Sequence, residues 1–289
     1  MDRLVKARFY QISNIDNAQR TFFDCMHYLW DHPDRSAYDD VSGGLRVRLE
    51  RWAASAGNDG TWNGEFVRQQ TENIPPRALD DGPLEPLSDP QGHRAAFRYW
   101  PSHKTLVLET RRGAVSAAAV QKLVRKRVPQ HRGFLIDPML SEGAIEQLTD
   151  GTPRRIEMKV ARPADMAAFE GAQNPIEENL SNLQQYHGGP NVEYAVSWGR
   201  SNRDESLIKD RIMNLLPWID RNRHAIKKVK IKIEEQSEAL DILTELMLEK
   251  ETLQLDSENV NLHYDERQAF LARALSNRRD EIRRVYGDG

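Results

Sequence analysis

The stretch Ile226-Lys-Lys-Val-Lys-Ile-Lys-Ile233 constrains the fold more than any other. Apolar and basic residues alternate strictly from Lys228 on, a period of two that fits a strand and no helix. Val229, Ile231 and Ile233 then face a core, and Lys228, Lys230 and Lys232 face the opposite way. Residues two apart on a strand stand roughly 6.6 Å from each other, a spacing on the scale of successive phosphates along one DNA strand. A lysine row of this kind has two readings. It follows a polyanion backbone, or it guards an exposed sheet edge against pairing with another chain.

The chain around this strand has 289 residues, enough for two domains with real cores. No run of 18 apolar residues exists, and the start MDRLVKARFYQI lacks the apolar segment of a signal peptide. The single cysteine, Cys25, excludes an internal disulfide or a multi-cysteine metal site, so a cytoplasmic setting is the expectation. Cys25 sits in an apolar run beside Met26 and reads as a buried small side chain.

Net charge is −3, but its distribution is uneven. Residues 101–163 carry +6 and residues 201–232 carry +5, while residues 233–289 carry −7. Two basic blocks in an acidic remainder make a polyanion-binding patch if they share a surface. The acidic terminus equally offers them internal partners, which would make access to such a patch conditional.

Along the chain, Leu4–Ile12 reads as a strand, followed by a helix to about Trp30 capped by Asn14 or Asp16. Leu45, Leu49 and Trp52 in the stretch from Ser42 to Ala56 are compatible with helix or strand. Gly57–Gly92, rich in Gly, Pro and Asn, reads as a long surface loop with one short strand near Glu65–Arg68. Two strands follow, Ala96–Trp100 and Lys104–Thr110, then a Ser116-capped helix to Val128. Lys122, Arg125 and Lys126 share one face of that helix. Further strands are expected at Gly133–Pro138, Arg154–Arg162 and Val192–Trp198. Helices are expected at Ser141–Leu148, Ala164–Gly171, Pro175–Tyr186, Asp204–Leu216 and Ala239–Leu248, with a small strand at Thr252–Leu255 and a final helix at Glu266–Val285. This succession gives an α+β fold, mixed sheets covered by helices, in two domains divided near Asp150-Gly151 (1–150 and 151–289). A final helix that packs back on the first domain would turn the second into an insertion.

No phosphate-binding loop, dinucleotide fingerprint, zinc-protease helix or nucleophile elbow occurs, so no enzymatic activity, cofactor or metal is expected. One enzymatic alternative stands against this. Asp137 at a strand end, followed by Glu157 and Lys159 on one face of a later strand, matches the D…E-x-K pattern of metal-dependent nucleases, in which carboxylates hold Mg²⁺ and a lysine stabilises charge. The other reading of Glu157 and Lys159 is a solvated charge pair. The outward strand positions offer lysine and arginine and no aromatic platform, which favours backbone contact over base reading.

Two regions resemble the RexA family of phage exclusion proteins: Ile136-Asp-Pro-Met139 with Ile156-Glu-Met-Lys-Val-Ala-Arg-Pro163, and the lysine strand with Asp241-Ile-Leu-Thr-Glu245, Leu253 and the long last helix. The resemblance covers roughly the last 160 residues and leaves Gly57–Gly92 without a counterpart. It implies an abortive-infection role in a bacterial host, a homodimer that binds DNA without marked sequence preference, a membrane channel partner resembling RexB, and a fold like that of the recombination regulator RdgC. The expectation is therefore a DNA-binding protein in which Lys228, Lys230, Lys232, Lys122, Arg125, Lys126, Arg155 and Lys159 contact phosphates. The rivals are the nuclease and a protein–protein interaction module that binds no nucleic acid.

Overall fold

The computed structural model describes the chain apart from residues 1, 15–19, 75–88, 130–133, 162–178, 199–205, 256–259 and 288–289, and single positions 43, 58, 73, 112, 181, 184, 187, 190, 223 and 224. Its strands, in chain order, are β1 (Asp2–Asn14), β2 (Asp39–Ser42), β3 (Leu45–Ala54), β4 (Trp62–Gln70), β5 (Gln91–Trp100), β6 (Thr105–Glu109), β7 (Phe134–Pro138), β8 (Pro153–Ala161), β9 (Asn191–Ser197), β10 (Ile226–Ile233), β11 (Leu240–Asp241) and β12 (Leu248–Gln254). Its helices are α1 (Phe22–Asp31), α2 (Ala117–Arg127), α3 (Glu142–Asp150), α4 (Lys209–Met213), α5 (Leu216–Arg221), α6 (Ile242–Glu245) and α7 (Val260–Tyr286). The fold is α+β, and the sheet pairings along both strand orders run antiparallel. Among the described residues no helix is long and apolar enough to cross a membrane.

The chain divides into two units, Met1–Asp137 with Leu248–Gly289, and Pro138–Met247. The division expected at Asp150-Gly151 is thus corrected at both ends. After the second unit β12 returns to pair with β1, Asp2 opposite Gln254 through Arg8 opposite Leu248, and α7 follows it.

In the first unit the sheet order is β12-β1-β6-β5-β4-β3-β2, with β7 also on β1. Both faces are covered where β5 and β6 run, and both strands are buried there. Ala95, Phe97 and Tyr99 face a core with α1 and α2, where Phe22, Met26, Val120 and Leu123 are buried. The alternate residues Arg98 and Trp100 turn to the other face, where Arg279 and Arg283 of α7 lie over the Trp100 ring. Helix α1 starts later than expected, because Thr21 and Asp24 form a reciprocal capping box, with Asp24 N–H donating to Thr21 Oγ1 at 3.2 Å and Thr21 N–H to Asp24 Oδ2 at 2.8 Å.

The ambiguous stretch around Leu45 is strand β3, and a bulge explains the ambiguity. The register with β4 shifts between Leu49 and Arg51, so Leu49 and Trp52, three apart, reach the same core and imitate helical spacing. Strand β4 replaces the first part of the expected loop and is a central strand whose middle is buried. Asn63-Gly64 is no turn. Gly64 lies opposite Phe97, and a Cβ there would come within 2.1 Å of the Phe97 ring. That ring is fully buried, stacked on Phe66 at 4.6 Å and on Trp52 at 5.8 Å, and cannot retreat. Gly64→Ala is therefore expected to cost about 1–3 kcal/mol in chemical denaturation through overpacking. In a Phe97→Leu background the same change should cost less, and strict additivity of the two would contradict the contact.

In the second unit the sheet order is β11-β10-β8-β9. Val229, Ile231, Ile233, Ile156, Met158 and Val160 share a core with Leu148 of α3, Ile212 of α4 and the fully buried Trp218 of α5. Of the expected helix Asp204–Leu216 the described residues form only the short α4, and a separate helix, α5, starts at Leu216 with Pro217 in its first turn. The expected helix Ala239–Leu248 is instead β11, the one-turn α6 capped by Asp241, and the start of β12. The helix expected over Ala164–Gly171, and much of that over Pro175–Tyr186, lie outside the described residues.

Candidate nucleic-acid interface

Strand β10 alternates as its residues dictate, with Val229, Ile231 and Ile233 buried and Lys228, Lys230 and Lys232 partly exposed. It pairs with β8 along its length on one side, while on the other the two-residue β11 covers only Lys230 and Ile231, so the edge-guard reading stands beside the polyanion one. Partner β8 presents Arg155, Glu157 and Lys159 on the same open face. The register sets Lys228 opposite Lys159, Lys230 opposite Glu157, and Lys232 opposite Arg155. Five of the eight proposed phosphate-contacting residues are thereby gathered on two neighbouring strands. Like charges directly opposite each other on a sheet repel, at a cost of roughly 0.2–1 kcal/mol per pair.

Two carboxylates moderate this. Glu157 receives Lys228 Nζ at 2.6 Å on one oxygen and Arg155 Nε at 2.7 Å on the other. The Lys228 hydrogen bond is the main influence holding the Glu157 carboxyl below its ordinary pKa; desolvation opposes it, and Arg155 adds to the lowering. On β9, Glu193 lies opposite Lys159 and pairs with it at 2.7 Å, which lowers the Glu193 carboxyl likewise. Lys232 Nζ donates to the carbonyls of Gln236 and, at 2.9 Å, Ser237. Asp241, opposite Lys230 on β11, is turned to its own helix, where its carboxylate accepts from Leu243 N–H at 3.1 Å. Both oxygens of Glu157, the residue opposite Lys230 on β8, are already engaged. Ala195 and Ser197 of β9 complete the face with small exposed side chains. Glu193 is the participant that sequence reasoning missed. The alternation of Val192, Tyr194 and Val196 in Val192–Trp198 was the signal that would have turned it outward.

Lys122, Arg125 and Lys126 belong to α2, in the first unit. They share the outer side of that helix as expected, and Lys126 Nζ donates to the Asp40 carbonyl at 2.6 Å. The next residue, Arg127, pairs with Asp39 at 2.5 Å. In the acidic C-terminal block Glu251 pairs with Arg273, and Glu249 and Glu281 with Arg278, while Glu234 pairs with Arg154 of the first basic block.

Of the nuclease candidates, Asp137 is the last but one residue of β7 and belongs to the first unit, and Glu157 and Lys159 lie on the open face of the second unit's sheet, each in ion pairs. Asp137 is instead a carboxyl whose pKa burial raises to about 6. The fold therefore favours its protonated form. The resulting penalty is absent below the ordinary value of 3.8, grows as pH rises toward 6 and is complete above it. Asp137→Asn should stabilise the protein by on the order of 1–3 kcal/mol at neutral pH, with the gain gone by about pH 4. Melting temperatures across that range test this, and a gain that grew on acidification would contradict it.

Residues 3–281 match the model of a family described as a family of unknown function, DUF6731. The chain belongs to that family. The match spans both units of this DUF6731 protein, including all four strands of the basic sheet. A search of curated proteins finds no match to the chain.

Proposed function

We propose that this DUF6731 protein binds the nucleic-acid backbone without regard to sequence, through the open face of its second sheet. One observation carries the reading: cations lie opposite cations, Lys228 on Lys159 and Lys232 on Arg155, on two neighbouring strands. The surrounding unit is acidic, with 14 basic and 18 acidic residues over positions 138–247. Concentration of positive charge on one face of an acidic unit is a segregation that solubility alone does not require. A row of phosphates laid along β8 and β10 takes the place of carboxylates and relieves the repulsion. The outward positions hold charged and small side chains rather than rings, which suits contact with phosphates and not stacking with bases.

The resemblance to RexA-type proteins extends this reading. The setting is then a prophage-encoded exclusion system in the bacterial cytoplasm, with a homodimer as the DNA-bound form and a RexB-like channel as the membrane partner. Fluorescence-anisotropy titration of labelled duplexes tests the binding itself. Unrelated sequences should bind alike, and the affinity should fall with salt with a logarithmic slope of roughly −4 to −5 if all five cations meet phosphates. A salt-independent interaction, or marked preference for one sequence, would contradict the proposal.

A further inference from the structure

A cleft in the first unit, remote in kind from the basic sheet, has the composition of a small-molecule site. Its volume is about 450 Å³, within the range of ligand pockets. Ile12, Phe22, Phe23, Trp62 and Tyr99 form its walls, and Lys104 stands at its rim. The rings are held by one another: Phe22 meets Tyr99 at 4.8 Å, Phe23 meets Trp62 edge-on at 4.8 Å, and Trp62 stacks on Trp52 at 5.0 Å. These walls are flat and fixed, a shape that suits a planar ring system.

Lys104 supplies the second observation. Its backbone has φ +47°, the left-handed region, and it is the only non-glycine residue found there among the described ones. Glycine or asparagine would occupy that position with less strain. The turn is fixed on both sides, since Lys104 N–H donates to the Pro101 carbonyl at 3.1 Å and Ile12 N–H to the Lys104 carbonyl at 2.8 Å. The exposed Lys104 side chain therefore starts from a fixed backbone position and lines the aromatic cleft. Arg279 and Arg283 lie over the neighbouring Trp100 on the other face of the sheet, and the Asp24 carboxylate beside the cleft is held by the Thr21 N–H and hydroxyl, so the cation that lines the cleft is Lys104. A cation at the rim of an apolar, ring-lined cleft complements a molecule with an apolar ring body and an anionic end.

We propose that this cleft binds a small planar aromatic carboxylate, its rings against the Phe23, Trp62 and Tyr99 walls and its carboxylate at Lys104. The proposal stands independently of nucleic-acid binding. The probe is 2-naphthoate, with neutral 2-naphthamide as its control, titrated into the full-length protein by calorimetry and by quenching of tryptophan fluorescence. Saturable binding of naphthoate is expected below about 100 µM, with naphthamide roughly five- to tenfold weaker. Lys104→Gly suits the left-handed position, so its melting temperature should stay within about 3 °C of wild type. That variant should bind the two probes equally. Ser13→Phe, or Ser13→Leu should the larger ring not fold, fills the cleft from β1 and should abolish binding of both probes. Any of three results overturns the proposal: no saturable binding, equal affinity of the wild type for the two probes, or binding that survives filling of the cleft.

Discussion

Replacing Arg267 with leucine is expected to lower the stability of the first unit by about 3–5 kcal/mol, the largest single effect the structure implies. Arg267 projects from α7 between two strands of the sheet and is 5% exposed, while Glu65 and Glu109 beneath it are 0% and 3% exposed. Its guanidinium donates to Glu109 Oε2 at 2.9 Å and to Glu65 Oε1. Burial works against its charge, but Glu109 and Glu65 outweigh burial and hold its pKa above the ordinary value. Glu109 Oε2 also receives the Ala96 N–H at 3.1 Å. The second Glu65 oxygen has only Arg51 and Arg94, at 3.6 and 3.7 Å, too far for hydrogen bonds.

A leucine at 267 would leave two carboxylates facing each other in the interior with no fork between them. Uncompensated buried charge is the costly case, in contrast to the intact pair, whose net contribution is small. For a unit of this size the melting temperature should fall by on the order of 10 °C. Arg267→Lys retains the charge but not the two-pronged geometry, and should lose less. Because the site is buried, added salt should not narrow the difference between wild type and variant. A loss below about 1 kcal/mol for Arg267→Leu would mean that α7 is held by its apolar residues alone.

Arg267 also illustrates what the amino-acid order conceals. Glu65, Glu109 and Arg267 are far apart in the chain, and each alone reads as an ordinary surface charge. Only the return of β12 to β1 brings α7 over β4 and β6. Local pattern carried the elements whose faces differ in polarity: β10, β8, β9, α2 and the apolar side of α7 follow their periodicity to within a few residues. It failed where a nonlocal partner sets the conformation. The bulge in β3 gives Leu49 and Trp52 a helix-like interval, and Gly64 looks like a turn residue until the Phe97 ring is set against it. The boundary at Asp150-Gly151 was a real break, the end of α3, but the contacts that define the units are made elsewhere.

The candidate interface divides in the same way. The outward direction of Lys228, Lys230, Lys232, Arg155 and Lys159 followed from alternation. That β8 and β10 are neighbours, and that the register sets cation against cation, depends on a pairing across some seventy residues that no local feature announces. The counter-charge at Glu193 follows from the pairing of β8 with β9.

The central claim is that this face binds polyanions, and the second large effect is expected there. In Lys228→Gln/Lys230→Gln/Lys232→Gln the buried residues Val229, Ile231 and Ile233 are untouched, so the strand should persist and circular dichroism should match wild type. Glu157 keeps Arg155 as a partner. Three of the five cations are lost from the face. If each meets a phosphate, the salt slope should fall by about 3 and the affinity at low salt by roughly a hundredfold or more. The decisive measurement is fluorescence anisotropy of one labelled random duplex against the wild type and this triple variant, at two salt concentrations. Salt-sensitive binding by the wild type, lost in the folded variant, is the predicted result. Wild-type protein that does not bind, or a variant that binds with unchanged affinity and slope, would contradict the account.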